Sequence, residues 1–272
     1  MRAAVAIVAV AGGIKPPPAL ASLTAGARWE PVEAGESGGA VWRLSWPDRP
    51  DAYLKQGAGH VADAIADEAA RLRWLTGRAP VPAVRLFTCT PDASWLLTDA
   101  VPGLTGDELL ARSPDALPRI VRECAALMRK LHALPVDDCP FDVSHRVRLA
   151  YARRLVAAGL VDEDDFDLEH HGWSAQAVLA KVELLAEFTV ERVITHGDFS
   201  LGNVLFDADG SVTGFIDVGR AGVADPYQDI AILWRNLAEF GVGAERMLLE
   251  ELDIAAPDEA RLAFHRCLDE LF

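Results

Sequence analysis

From Trp29 to about Val101 the pattern of apolar and polar residues favours strands, several of which show the two-residue period of half-buried sheet. "AVWRLSW" and "DAYLKQ" carry that alternation with aromatic residues in it, beside a Gly-rich turn, "EAGESGGA", and a Pro-Asp turn. The period then changes. In "VADAIADEAARLRWLTGR" apolar positions recur at helical spacing and Gly77 supplies a stop, which predicts a helix. Two further strands, "VPAVRLFTC" and "SWLLTDAV", are predicted around Thr90-Pro91-Asp92.

Beyond Pro102-Gly103 the texture is that of long helices. Ser113-Pro114 starts one running to about Ala133, with Ser as cap and Pro in the first turn. Others are predicted over 143–158, 174–188, 226–240, 244–252 and 257–270. Only "THGDFSLGNVLFDADGSVTGFIDVGR" (195–220) returns to strands, with Asp209-Gly210 as a hairpin turn. The pattern predicts an N-terminal extension over 1–24, a small sheet-rich lobe with one helix over 25–101, and a larger, mostly helical lobe over 102–272. The junction near residue 100 is a natural ligand cleft.

Bulk properties narrow the field only a little. The 272 residues are 51% hydrophobic and 25% charged, ordinary for a globular chain. A formal net charge of −15 argues against a nucleic-acid or anionic-membrane partner and suits a cationic ligand. Cys89, Cys124, Cys139 and Cys267 form no CxxC or Cys/His pattern and read as reduced thiols. The opening "MRAAVAIVAVAGGIKPPPALAS" loosely resembles a secretory signal, but its apolar run is too short to span a bilayer. The expected location is cytoplasmic, where nucleotide is abundant.

The chemistry concentrates in "HGDFSLGN". Asp198 and Asn203 sit five residues apart, and Asp217 follows fourteen later at the end of a predicted strand. Each alone is a common turn former. Together, after an apolar strand, they match the phosphoryl-transfer template: a carboxylate orients the attacking hydroxyl, and an Asn and an Asp hold magnesium on the nucleotide phosphates. Mg²⁺ takes hard oxygen donors and keeps several waters, so two protein ligands suffice. Upstream, Lys55 ends a strand and Glu68 lies thirteen residues on in the predicted helix, the arrangement of a phosphate-contacting Lys held by a helix Glu. "GESGGA" offers backbone N–H groups to phosphates but lacks the full Gly-rich spacing. His196 reads as a residue that fixes the loop, Trp234 as core, and Asp225 and Asp229 as caps or fold stabilisers.

From about Trp29 to Phe272 the chain resembles the aminoglycoside 3'-phosphotransferases, the kanamycin-kinase type of resistance enzyme. The resemblance is carried by "ITHGDFSLGNVLF", "GFIDVGRAGVADPYQDIAI" and the terminal "LDELF". "DEAARLRWL", "WLLTDAVPG", "LPVDDCPFD" and "AGLVDEDDF" match as well. It implies a protein-kinase-like two-lobed α+β fold that binds nucleotide in the N-lobe and the drug in the C-lobe. It implies Asp198 as the catalytic residue and Asn203 and Asp217 as magnesium ligands. Lys55 and Glu68 become the phosphate-gripping pair and Ser37 part of the nucleotide loop. Tyr53 is expected to stack on adenine, and the backbones of Thr98 and Ala100 to bond its edge. For the drug it implies Asp165, Asp167, Glu239, Asp269, Glu270 and the carboxylate of Phe272, with Arg235 organising the carboxylates. Asn236 stands where some relatives have Asp, and Leu168 where they have Glu, so two pocket charges are missing and the drug range is open.

The expected activity is transfer of the γ-phosphoryl of ATP or GTP to an aminoglycoside hydroxyl, with Mg²⁺, by a monomer or homodimer. Acids at the cleft would attract a rigid polycation. In "VDEDDFDLEHH", Phe166 and Leu168 between the acids suggest one packed and one outward face. The rival readings are a kinase of another small alcohol (a macrolide, choline, homoserine or an amino sugar) and a catalytically silent module that binds nucleotide or drug.

Overall fold

The alternating N-terminal segments pair into one sheet in the computed structural model, which describes residues 17–32 and 39–272. Helix α1 (Pro18–Leu23) precedes β1 (Arg28–Pro31), β2 (Ala40–Ser45), β3 (Ala52–Gly57), α2 (His60–Leu75), β4 (Val84–Cys89) and β5 (Ser94–Asp99). The strand order is β1-β2-β3-β5-β4, with every neighbour antiparallel. Leu54 faces Trp42 on one side and Leu97 on the other; with Leu44, Ala52 and Trp95 they build the core on one face of the sheet. Side chains alternate across a strand, so Tyr53 and Lys55 stand on the opposite face. There they pair with Thr98 and Leu96.

The division into units falls between Val101 and Pro102. Residues drawn from the sequence as an N-terminal extension partly belong to the first unit: α1 lays Leu20, 1% exposed, into the sheet core. A single buried leucine on a six-residue helix leaves too little period for the pattern to register.

The second unit runs β6 (Leu104–Thr105), α3 (Gly106–Arg112), α4 (Leu117–His132), α5 (His145–Ala158), α6 (Ala175–Leu185), β7 (Val193–Thr195), β8 (Val204–Phe206), β9 (Val212–Phe215), β10 (Gly222–Ala224), α7 (Tyr227–Ala238), α8 (Val242–Glu251) and α9 (Glu259–Asp269). The patterns predicted a small antiparallel sheet followed by helices, and that is the fold. Two details differ. The helix expected from Ser113 starts at Leu117, after a 3-10 turn over Pro114–Ala116. Pro118 has no N–H to give to a carbonyl one turn earlier, so the α-helix begins around it. Helix α3 was not predicted, although its Thr105 and Glu108 form a reciprocal capping box.

Under α5 and α9 lies a buried polar knot. Asp225, fully buried, takes a two-pronged ion pair from Arg261 and the N–H of Tyr227. His265 sits 3.8 Å from Asp225, and neither of its ring nitrogens has a hydrogen-bond partner among the described residues. Burial holds its imidazole well below the usual 6.5, and Arg148, His145 and Arg261 push the same way. Burial also lowers His145. Below about pH 6.5 the unfolded chain takes up a proton that the folded His265 refuses. Stability is therefore present above that pH and is lost on acidification toward the depressed folded value. The expected slope from this group approaches about 1.4 kcal/mol per pH unit. Urea unfolding of His265→Leu between pH 7 and 5 is expected to show a flatter dependence than the parent; an unchanged slope would assign the acid sensitivity elsewhere.

Candidate active site

Strand β7 ends at Thr195, and the chain turns through His196-Gly197-Asp198 because three groups hold the backbone there. The buried carboxylate of Asp229, on α7, accepts the N–H groups of His196 (2.9 Å) and Gly197 (2.8 Å) and lies 3.0 Å from His132 Nε2. Gly197 has φ +85°, and a Cβ there would meet the Arg220 carbonyl at 2.2 Å, so only glycine fits. Its own carbonyl accepts from Gln228 Nε2 (3.3 Å) and Arg148 Nη1 (3.5 Å).

Hydrogen bonds then tie Asp198 and Asn203 to Ile216, the residue before Asp217. The His196 ring spans two segments: Nδ1 accepts the Asp198 N–H (3.2 Å), and Nε2 donates to the Ile216 carbonyl (2.9 Å). Asn203 Nδ2 donates to the Asp198 carbonyl (3.0 Å), which orients the amide and makes Oδ1 the atom available for a cation. The Ile216 N–H donates to the Asn203 carbonyl (2.9 Å), and Val204 pairs with Phe215 where β8 meets β9. Asp217 follows directly, in the left-handed region (φ 59°, ψ 49°) that Asp tolerates better than most residues. Asp198, Asn203 and Asp217 are all half-buried. His196 is thus a loop fixer, as its position suggested. The Asn203 amide oxygen and the Asp217 carboxylate are hard oxygen donors of the kind a divalent cation shared with phosphate takes, and among the described residues no group of three or more His, Cys, Asp and Glu marks a metal centre.

In the first unit Lys55 Nζ, on β3, donates to both carboxylate oxygens of Glu68 on α2, each at 2.9 Å. Tyr53 shares the Lys55 face of the sheet, opposite Thr98, whose residue is 8% exposed. The Ala100 N–H donates to the Asp51 carbonyl (3.1 Å), so an adenine edge must use another backbone group or displace that bond. Ser37 lies outside the described residues.

Residues 28–265 match the model of the Phosphotransferase enzyme family. An aminoglycoside 3'-phosphotransferase from Escherichia coli is 44% identical over 248 residues, 91% of each chain. This chain belongs to the aminoglycoside 3'-phosphotransferase family. Among solved structures, an aminoglycoside 3'-phosphotransferase of type VIII superposes with a TM-score of 0.85 at 38% identity, covering 93% of this chain and 97% of that one. Aminoglycoside phosphotransferase APH(3'')-Id from Streptomyces rimosus, in complex with ADP and streptomycin, gives 0.78 at 31% identity, covering 93% and 95%. The kinase-like fold and the phosphotransferase class expected from the sequence are those of the family. No helix among the described residues is long and apolar enough to cross a membrane.

The acids that the family resemblance assigned to the drug differ in their surroundings. Asp165 is exposed at the end of a 3-10 turn, and Glu239 is exposed at the end of α7. Asp167 lies 3.9 Å from Arg235. The Asp269 side chain, 8% exposed, is shared by Arg148 (3.5 Å), Arg220 (3.6 Å) and Arg235 (3.3 Å). Glu270 is 2% exposed at its side chain and bonds inward to His170 (2.7 Å) and to the Asp167 N–H (3.3 Å). Asn236 Oδ1 accepts the Leu201 N–H (3.0 Å), bracing the loop that carries Asp198. Phe272 docks its ring 4.5 Å from Arg148 and 5.4 Å from Arg220. In the insertion, Phe166 packs at 7% exposure, but Leu168 is 97% exposed and joins no face. Trp234, expected in the core, is half-buried and lines a surface cavity of about 680 Å³ with Val242, Leu249 and Ile254.

Sequence reasoning passed over Arg148, which links Gly197 and Asp269 while buried enough to pull its guanidinium down to about 10. It also passed over Asp107, whose carboxyl is pushed up by burial and then by Glu239. Neither lies in a motif, because long-range packing creates their roles. Asp229→Ala should strand two N–H groups that carry the loop, each worth about 1–3 kcal/mol. The expected result is an unfolding free energy lower by about 3 kcal/mol in urea titration, with kcat reduced even where the variant is folded; parent-like stability would refute the anchoring role.

Proposed function

We propose that the protein transfers the γ-phosphoryl of ATP or GTP to a hydroxyl of a kanamycin- or neomycin-type aminoglycoside, the 3'-hydroxyl in the first instance, and so confers resistance. The observation that carries the reading is the hydrogen-bonded loop that holds Asp198 and Asn203 against Ile216, the residue before Asp217, in a chain 44% identical to an aminoglycoside 3'-phosphotransferase. Asp198 orients the acceptor hydroxyl and takes its proton as the oxygen bonds to the γ-phosphorus. The bond from that phosphorus to the bridging oxygen breaks, and the nucleoside diphosphate leaves with those electrons. Lys55, steadied by Glu68, holds the nucleotide phosphates, and Tyr53 offers an aromatic face to the base. Asn203 and Asp217 would hold Mg²⁺, which supplies screening of the phosphate charge. Most of the rate gain then comes from positioning and fixed charge rather than covalent chemistry.

Acceptor choice follows from charge. Asp165, Asp167, Glu239 and Asp269 face a polycation with carboxylates, while Asn236 and the exposed Leu168 supply none, so affinity should depend on fewer ion pairs. Mass spectrometry of kanamycin incubated with the protein and Mg-ATP is expected to show one added phosphate. Asp198→Ala should lower turnover at least about a hundredfold while keeping the circular dichroism and melting curve of the parent. Unmodified kanamycin with the parent protein, or near-parent turnover in the variant, would defeat the assignment.

A further inference from the structure

His170 is 1% exposed and sits where three elements meet: the acidic insertion, α6 and the last turn of α9. Its Nδ1 lies 2.7 Å from Glu270 Oε1, and its Nε2 lies 2.8 Å from Lys181 Nζ. An ammonium can only donate, so Nε2 is the acceptor and Nδ1 carries the proton given to Glu270. One tautomer satisfies both neighbours. Glu270 uses its second oxygen to accept the Asp167 N–H at 3.3 Å. From Asp167 the chain of contacts continues to Arg235 (3.9 Å) and on to Asp269 (3.3 Å), next to Glu270. The contacts form a closed ring. Lys181 is itself tied to Glu169 at 2.6 Å, and Trp173 lies edge-on to the imidazole at 4.9 Å. Burial pushes the Glu270 carboxyl up, and the hydrogen bond from His170 opposes that.

We propose that His170 is a specificity-determining positioning residue: clamped between Lys181 and Glu270, it fixes the acidic insertion to the C-terminal helix so that Asp167 and Asp269 present one charge pattern to the acceptor. This rests on the aminoglycoside reading above. His170 touches no acceptor and acts through Glu270. Its removal lets the insertion and the helix end move apart, which weakens ground-state binding of a polycation without altering Asp198 or the nucleotide site.

The test is steady-state kinetics with kanamycin and with an acceptor bearing fewer ammonium groups. His170→Phe, which removes both hydrogen bonds, should raise the acceptor KM about tenfold, and more for the acceptor with more ammonium groups. kcat and the nucleotide KM should stay within about twofold, since the interaction lost is one of binding. His170→Asn, which can still donate toward Glu270, should recover most of the loss. Lys181→Met, which leaves the imidazole in place, is the second probe and should raise the acceptor KM about threefold. Unchanged acceptor KM in His170→Phe would overturn the proposal, as would a parallel fall of all parameters without rescue by His170→Asn. If His170→Phe does not fold, unchanged acceptor KM in Lys181→Met overturns it. Failure of the parent protein to phosphorylate any aminoglycoside would instead strike the functional assignment itself.

Discussion

The buried carboxylate of Asp229 is the fixed point of the loop that carries Asp198. A carboxylate with no solvent must be satisfied within the fold, and here it takes the N–H groups of His196 and Gly197 and meets His132. Helix α7 thereby holds the turn after β7. The turn aims the His196 ring, and the ring joins Asp198 to Ile216, one residue before Asp217. A chain of short contacts runs from α7 to the Asp198 N–H and to the Ile216 carbonyl, one residue before Asp217. On the proposed reading, only Asp198 and Asp217 among these residues meet a reactant. This is preorganisation in the sense that matters for phosphoryl transfer: the donors and acceptors are set before the reactants arrive.

Charge around Asp269 is organised by competition rather than by a bare acidic surface. Asp269 is held by three arginines, and two of these also approach the Phe272 ring. A carboxylate so engaged is rigid and already partly neutralised. On the proposed reading an incoming ammonium group would share it, so that geometry rather than total charge would decide what binds. Glu270 goes further and turns inward altogether. The whole-chain charge of −15 aids encounter with a cation but says nothing about this local arrangement.

Much of the fold could be read from the chain because its period is clean. The strands of the first unit alternate, the helices of the second repeat at helical spacing, and Asp209-Gly210 marks a turn that the structure places between β8 and β9. Lys55 and Glu68 were legible through spacing, and they meet at 2.9 Å. The misses share a cause. Helix α1 is too short to show a period, and Leu168 looked packed only because Phe166 nearby is apolar. Trp234 was placed inside by the apolar helix face around it, but α7 turns that position partly outward. Arg148, His170 and Lys181 stand in no motif: each acquires its role from partners 11 to 121 residues away, at separations that sequence pattern does not encode. Local rules fix elements, and packing fixes which polar groups meet.

Asp217 occupies a backbone basin that most side chains enter at a cost of about 1–2 kcal/mol. An inert form of this enzyme made by truncating that side chain would therefore confound two changes, a lost anion and a relaxed turn. Asparagine, which enters the same basin readily, removes the charge and spares the backbone. If Asp217 has the proposed role, asparagine is the replacement that separates loss of the charge from relaxation of the turn.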